Sequence, residues 1–555
     1  MFVAGLANVV SDHWILGTTS LLFCYTVGLV LYNLYFSPLA KFPGPFFARI
    51  STLPDFYWSL TGKRHLWIAR NHEIYGDAVR FRPDGLLFKT PEAYRDIFNA
   101  RANVKRSQFY DMMTRHRNDQ STLTGTDPAL HARKRRVLNT VFSDKSLRSM
   151  EPLLESHVAR WCELLVDEEG TEWSRPRKMS EVCDYLVLDV LCDLCFGRAV
   201  NTKEPGDNEH RQIPHIIAFF LRILYPLGHC PWLNALVWLK PRGLDWVLSK
   251  ITPPNVRFLY NFVDESLAQR LELEAQGQTR PDMLHFLLRA KDPATGLPGY
   301  TRAALEAEAI MLTIAGSDTT SVIMAGFFFY IVRTPHAYHK LVAEIRSTFP
   351  SVDTIRGGPT LLSGCPYLRA CVDEAMRITP AGSSELPRTV LSGGITIAGE
   401  FIPEGTTVGV AHWSFYRNAD CFPDPDLYRP ERWIVDPAAG VTAEDVARAK
   451  ASCLPFSAGT TSCAGKNFAL LELYLVIART VWLFDLRLVE GDRTGVVGGC
   501  SGGSGGGDDK VVEQEREVFG LWDSYISIRD GPMVQFRRRE AEQTSYAHDR
   551  ESTCV

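Results

Sequence analysis

Apolar positions along this chain fall into three kinds of run, and each predicts a different element. The first is continuous: "WILGTTSLLFCYTVGLVLYNLYF", Trp14 to Phe36, carries no charge over a length that crosses a bilayer, which takes about 20 residues. The second recurs at helical spacing through most of the chain beyond that run and predicts a mainly α chain with minor β sheets. The third alternates over short distances, in "AVRFRPDG", "GITIAGEFIPEGTTVGV", "FDLRLVE" and "MVQFRRR", and predicts short strands. No internal repeat is visible.

The continuous run reads as a single membrane helix and not as a cleaved leader, because Asp12 precedes it and the first basic residues, Lys41 and Arg49, follow it. That asymmetry places the bulk of the chain in the cytosol. Prolines at 38, 43 and 45 cannot continue the helix. Residues 1–36 thus read as an anchor, 37–50 as a stiff proline-rich hinge, 51–540 as the main domain and 541–555 as a polar tail. Within the main domain "GVVGGCSGGSGGGDDK", 495–510, reads as a flexible surface insertion, since no helix follows at once to hold a pyrophosphate.

Composition narrows the functions. With 60 basic and 64 acidic residues the net charge is −4, which offers no basic face to nucleic acid. Thirteen scattered cysteines, an odd number, fit a reducing compartment better than a disulfide scaffold. The C-x-x-C of Cys192 and Cys195 lies in an apolar helical pattern with no second pair, and reads as core.

Three stretches carry candidate chemistry. The longest helix starts at the N-cap Thr301 and stops before Pro335, a rod of about 45 Å. In its middle "AGSDTT" sets Gly316, where a ligand can approach the backbone, beside Asp318 and Thr319. The Thr319 hydroxyl can bond back to the Ala315 carbonyl and bend the rod, and a buried acid next to a hydroxyl can handle protons. In "CVDEAMRITP", Glu374 and Arg377 share a helix face, and Arg432 of "FPDPDLYRPERW" can close a charge network with them. In "PFSAGTTSCAGKNF", 455–468, five residues separate Gly459 from Gly465 and Asn467 replaces the hydroxyl, so the stretch is no phosphate loop. Its centre is Cys463.

Taken in order, "AGSDTT", "EAMR", "PERW" and "FSAGTTSCAG" resemble the motifs of the cytochrome P450 family, and the resemblance spans the chain from anchor to last strand. It implies the P450 fold over 51–540, a haem-thiolate catalytic domain behind one transmembrane helix. It implies heme b with Cys463 as the axial thiolate and so the metal ligand, Gly459 and Gly465 turning backbone amides toward the sulfur, and Phe456 shielding the ring. His131 and Arg135 of "HARKRR" and Arg388 of "LPRTV" become the propionate contacts. Glu374, Arg377 and Arg432 become the structural network. The family pattern carries Arg where this chain has Thr461, so one propionate is expected to lack a cation and haem retention to suffer.

The implied reaction inserts one oxygen atom from O2 into a lipophilic small molecule, with Asp318 and Thr319 relaying protons. The implied partners are NADPH-cytochrome P450 reductase, with cytochrome b5 as a second donor, and the endoplasmic reticulum membrane. Residues 103–128 and the apolar "IIAFFLRILYPLGHCPWLNALVWL" are the expected access segments; Pro226, Pro231 and Arg222 disqualify the latter as a span, so it is expected to dip into the bilayer surface. The basic run Arg133 to Arg136 reads either as a solvated face or as a docking patch for an acidic reductase. "HARKRRVLNTVFS" and "PERW" look like fungal monooxygenases of secondary metabolism. Two other readings stay open: a haem-thiolate isomerase or dehydratase that needs no reductase, and a non-catalytic haem-binding sensor.

Overall fold

The structure, a computed structural model, describes residues 2–115, 120–167, 172–292, 295–497 and 517–539. Helices dominate. The first runs Phe2–Leu31, starting ahead of the apolar run, and passes into a π-turn over Tyr32–Phe36. Its stretch Leu16–Phe36 is long and apolar enough to cross a membrane and is 0% buried against the rest of the protein.

The 37–50 segment is not a free connector. Its second half is the helix Phe46–Ile50, and Leu39 and Phe42 are buried in the core. Arg80 fastens it: its backbone N–H donates to the Pro43 carbonyl at 2.8 Å and its guanidinium to the Asn33 carbonyl at 2.7 Å. A Cβ on Gly44 would stand 2.2 Å from the Arg80 carbonyl oxygen, so this close approach requires glycine.

The long helix spans Arg302–Ile331, and the Thr301 hydroxyl caps it by accepting from the Ala304 N–H at 3.3 Å. By length and composition it too could cross a membrane, but 67% of that window is buried inside the protein, so its apolar surface serves the core. It packs on the helices Met179–Phe196, Pro366–Ile378 and Lys466–Leu483. Small residues set the spacing. A Cβ on Gly316 would meet the Leu191 side chain at 2.7 Å, and one on Gly326 the Thr379 hydroxyl at 2.5 Å. Gly316 therefore serves helix–helix approach, which corrects the expectation that it admits a ligand. Cys192 and Cys195 are buried in the same core.

The strands foreseen by alternation form. A five-stranded sheet runs in the order Ala78–Arg82, Gly85–Phe88, Thr407–Val410, Arg388–Val390, Val104–Arg106. Its last pair is antiparallel with Arg106 directly opposite Arg388. Phe484–Leu488, Met533–Arg538 and Arg177–Lys178 form a three-stranded sheet, and Ile395–Ile397 pairs with Glu400–Ile402. At the head of the 495–510 stretch Val496–Val497 pairs with Val518–Phe519; the rest of that expected insertion, like the 541–555 tail, lies outside the described residues.

The apolar access segment becomes two helical stretches, Glu209–Gly228 and Leu233–Arg242, that meet at 110°. Beside and beyond the bend Trp232, Trp238, Trp246 and Ile251 are exposed.

Candidate active site

The cysteine loop is held by its backbone. Gly459 has φ +64°, and a Cβ there would stand 2.2 Å from the Phe98 carbonyl oxygen, so both conformation and space demand glycine. The Cys463 N–H donates to the Phe456 carbonyl at 2.7 Å and closes the loop. Gly465 then forms the N-cap of the helix Lys466–Leu483, which places Cys463 just before a helix N-terminus. Gly465 has φ −83°, and a Cβ on it would meet only the Phe142 ring, at 3.7 Å, so neither conformation nor crowding requires glycine there. Cys463 and Cys24 are the exposed cysteines among the described residues. The protein around Cys463 on its other sides pushes the thiol up, while the Gly465 N–H and then the Arg135 charge favour the thiolate.

Four basic side chains converge near this loop. Arg388 donates from Nη2 to the Thr461 hydroxyl at 2.9 Å and from Nη1 to the Tyr110 hydroxyl at 3.3 Å. Arg135 bonds to the Ser462 carbonyl and, through Nε, to Asn139 at 2.7 Å. Buried Arg106 donates to the Thr122 carbonyl at 2.7 Å; burial and then the Arg388 charge lower its pKa to about 10. His131 is brought down to about 3 by burial and then by Arg106, Arg135 and Arg388, and its buried Nε2 has no partner among the described residues. Among the described residues none of the three arginines meets a carboxylate there; their partners are carbonyls, hydroxyls and an amide. Arg106 escaped the sequence reading. Only the strand register reveals it, by setting it against Arg388.

Thr319 and Ala315 line a cavity of about 330 Å³, together with apolar residues such as Leu123, Phe220, Met311 and Ile526. The Thr319 hydroxyl donates to the Ala315 carbonyl at 2.8 Å, as its spacing predicts, and the helix remains α-helical through this point. Asp318 is buried but does not line that cavity. Burial and then the Asp184 charge raise its carboxyl above the usual range, against the pull of Arg529. Arg529 bonds to Asp184 and donates to the Ser321 hydroxyl at 2.8 Å. It comes from the C-terminal loop, in a stretch without a motif, and it too was missed.

The Glu374 network forms deep in the protein. Arg377 grips Glu374 with two bonds of 2.8 Å, Arg432 Nε adds one of 3.0 Å and Trp433 Nε1 one of 2.9 Å. Burial opposes ionisation, yet Arg377 and then Arg432 hold the Glu374 carboxyl at about 2. The basic run at 133–136 splits. Lys134 is buried and 3.6 Å from Glu308, whereas Arg133 and Arg136 are exposed and approach Asp292 at 3.3 and 3.6 Å.

A thiol with N–H donors behind it, three arginines without counter-ions among the described residues and an imidazole without a partner among them suit a ligand that carries both a metal and carboxylates; the residues fit haem. The cytochrome P450 family profile matches residues 43–495. Cytochrome P450 monooxygenase poxM of Penicillium oxalicum is 32% identical over 517 residues, 93% of this chain and 93% of its own length. AKT7 of Alternaria alternata is 33% identical over 94% of this chain and 96% of its own, and fscF of Fusarium equiseti 32% over 95% and 97%; both are also named as cytochrome P450 monooxygenases. The chain belongs to the cytochrome P450 family. It is an oxidoreductase of a class that uses haem with a cysteine thiolate ligand and takes electrons from a redox partner.

Proposed function

We propose that the chain is a membrane-anchored monooxygenase of fungal secondary metabolism that inserts one oxygen atom from O2 into a lipophilic small molecule. One observation supports the reading: among the described residues Arg106, Arg388 and Arg135 gather by the Cys463 loop without a carboxylate, and Ser121 and Leu123, which flank the Thr122 whose carbonyl Arg106 holds, line the apolar cavity that bears the Thr319 hydroxyl. Bound haem supplies the oxygen activation, and a thiolate ligand favours O–O cleavage.

The residues divide the remaining work. Cys463 holds the iron, with the Gly465 N–H and the helix N-terminus stabilising its negative charge. His131, Arg135 and Arg388 would hold the propionates, joined by Arg106, and Arg135 also pins the loop through the Ser462 carbonyl. Arg106 makes up the cation that Thr461 does not provide, and the threonine orients Arg388 by accepting its hydrogen bond. Thr319 holds a proton at the cavity wall. Asp318, kept partly protonated by burial, passes protons toward it from the Arg529–Asp184 side.

Leu16–Phe36 anchors the chain in the endoplasmic reticulum membrane, and the exposed tryptophans at 232, 238 and 246 touch its surface, so substrate enters from lipid. Electrons come from NADPH-cytochrome P450 reductase, with exposed Arg133 and Arg136 on its docking face. The test is spectral: reduced protein with CO shows the red-shifted Soret band of a thiolate complex, and Cys463→Ala loses it. A band that survives in Cys463→Ala overturns the ligand assignment, and turnover without NADPH overturns monooxygenation in favour of an isomerase or dehydratase.

A further inference from the structure

The cavity that contains Thr319 is apolar along its body but not at its mouth. Glu306 and Thr319 both line it from the same helix, 13 positions apart in sequence and hence about 20 Å along the axis. Three charged side chains reach it: Arg115, Asp264 and Glu306. Arg115 and Asp264 are partly open, at 33% and 37% exposure, which marks the mouth.

These charges are not equivalent. Both Asp264 oxygens are occupied by Arg115 Nη1, at 2.9 and 3.2 Å. Glu306 is held by Arg302 Nε at 3.1 Å. Each acid therefore has a cation of its own. Arg115 has donors to spare: it spends Nη1 on Asp264, while Nε and Nη2 have no partner among the described residues. Its guanidinium lies over the Tyr260 ring, 4.6 Å from the centroid, a cation–π contact. A planar fork with a free Nε/Nη2 edge matches a carboxylate with two parallel bonds.

We infer that Arg115 selects the substrate's far end, and that the substrate is a lipophilic carboxylate whose apolar body lies toward Thr319 and whose anion sits on the free edge of Arg115. The inference rests on the oxygenase reading of this cavity. A cationic end group is disfavoured because the acids it would need are already neutralised by Arg115 and Arg302.

Binding to haem-loaded enzyme, read by calorimetry, tests it with dodecanoic acid, dodecan-1-ol and dodecyltrimethylammonium, all below their aggregation limits. The acid is expected to bind about tenfold more tightly than the alcohol, the range of one charge-assisted bidentate contact that is partly open to water. Arg115→Gln brings the two to near parity, and Arg115→Lys restores part of the preference. Asp264→Asn separates recognition from bracing. Removing the competing carboxylate strengthens acid binding about threefold if Arg115 reads the anion, whereas a bridge that only ties two segments together makes Asp264→Asn behave like Arg115→Gln. Equal affinities, preference for the cation, absence of acid binding, or a preference that survives Arg115→Gln overturns the inference. The CO band of each variant, measured beforehand, reports separately on the haem-thiolate reading.

Discussion

Two clusters of arginines in this protein are built to opposite rules. Around Glu374, Arg377 and Arg432 are buried with a carboxylate that receives bonds from both, and Trp433 completes it. Beside Cys463, Arg106, Arg388 and Arg135 gather with no acid among them in the described residues, and two of the three stand directly opposite on paired strands, an arrangement that costs stability. The first cluster is closed and can only hold the fold together. The second is electrically incomplete among the described residues, and in the proposed function the missing anion is supplied by the haem propionates. A surplus of like charge inside a protein is therefore a better pointer to a binding site than a salt bridge is.

Breaking the closed cluster has the largest effect. Glu374→Ala leaves two buried guanidiniums without their acid and is expected to cost about 3–5 kcal/mol, read as loss of soluble protein and a lower melting temperature. The same residue gives a pH signature. Its folded pKa of about 2 lies below the unfolded 4.5, so its stabilisation is complete above pH 4.5 and disappears as pH falls toward 2. A Glu374→Gln variant that folds should show a flatter stability profile over that interval.

The open cluster gives effects of mixed sign, which sharpens the contrast. Arg106→Gln removes a like charge, so haem-free protein should melt higher, while haem should pass to an acceptor such as apomyoglobin about tenfold faster. A variant that merely damages the fold melts lower. The smallest effect belongs to Thr461→Arg. Because Arg388 already donates to the Thr461 hydroxyl, a new guanidinium there crowds an existing one, and haem transfer should quicken roughly two- to threefold instead of slowing. Slower transfer would mean that the propionate side does lack a cation.

The features legible in the sequence were local ones. The long helix, its Thr301 cap and the Thr319 bond to Ala315 follow from spacing within one segment, and the loop around Cys463 is a contiguous motif. The Glu374 partners could be named because two short motifs hold them. The rest depends on distant segments meeting. Arg106 joins the site through strand register, Arg529 reaches Asp318 from a C-terminal loop with no periodicity, and Gly316 owes its identity to Leu191 on another helix. The 37–50 segment looked like a connector because prolines signal stiffness in sequence, and nothing local reveals that Arg80 fastens it.

That fastening has a consequence for kinetics. With Asn33 and Pro43 both bonded to Arg80, the end of the apolar N-terminal helix is tied to the body of the enzyme, and in the proposed membrane-bound state the exposed tryptophans at 232, 238 and 246 would give a second point of contact with lipid. Two such attachments would restrict the tumbling of the domain and keep one attitude toward the bilayer, so that the enzyme would search for substrate in a plane and not in a volume. Its rate would then follow the mole fraction of substrate in the membrane. Adding inert lipid at constant substrate is expected to lower turnover by surface dilution, although the concentration in the test tube has not changed.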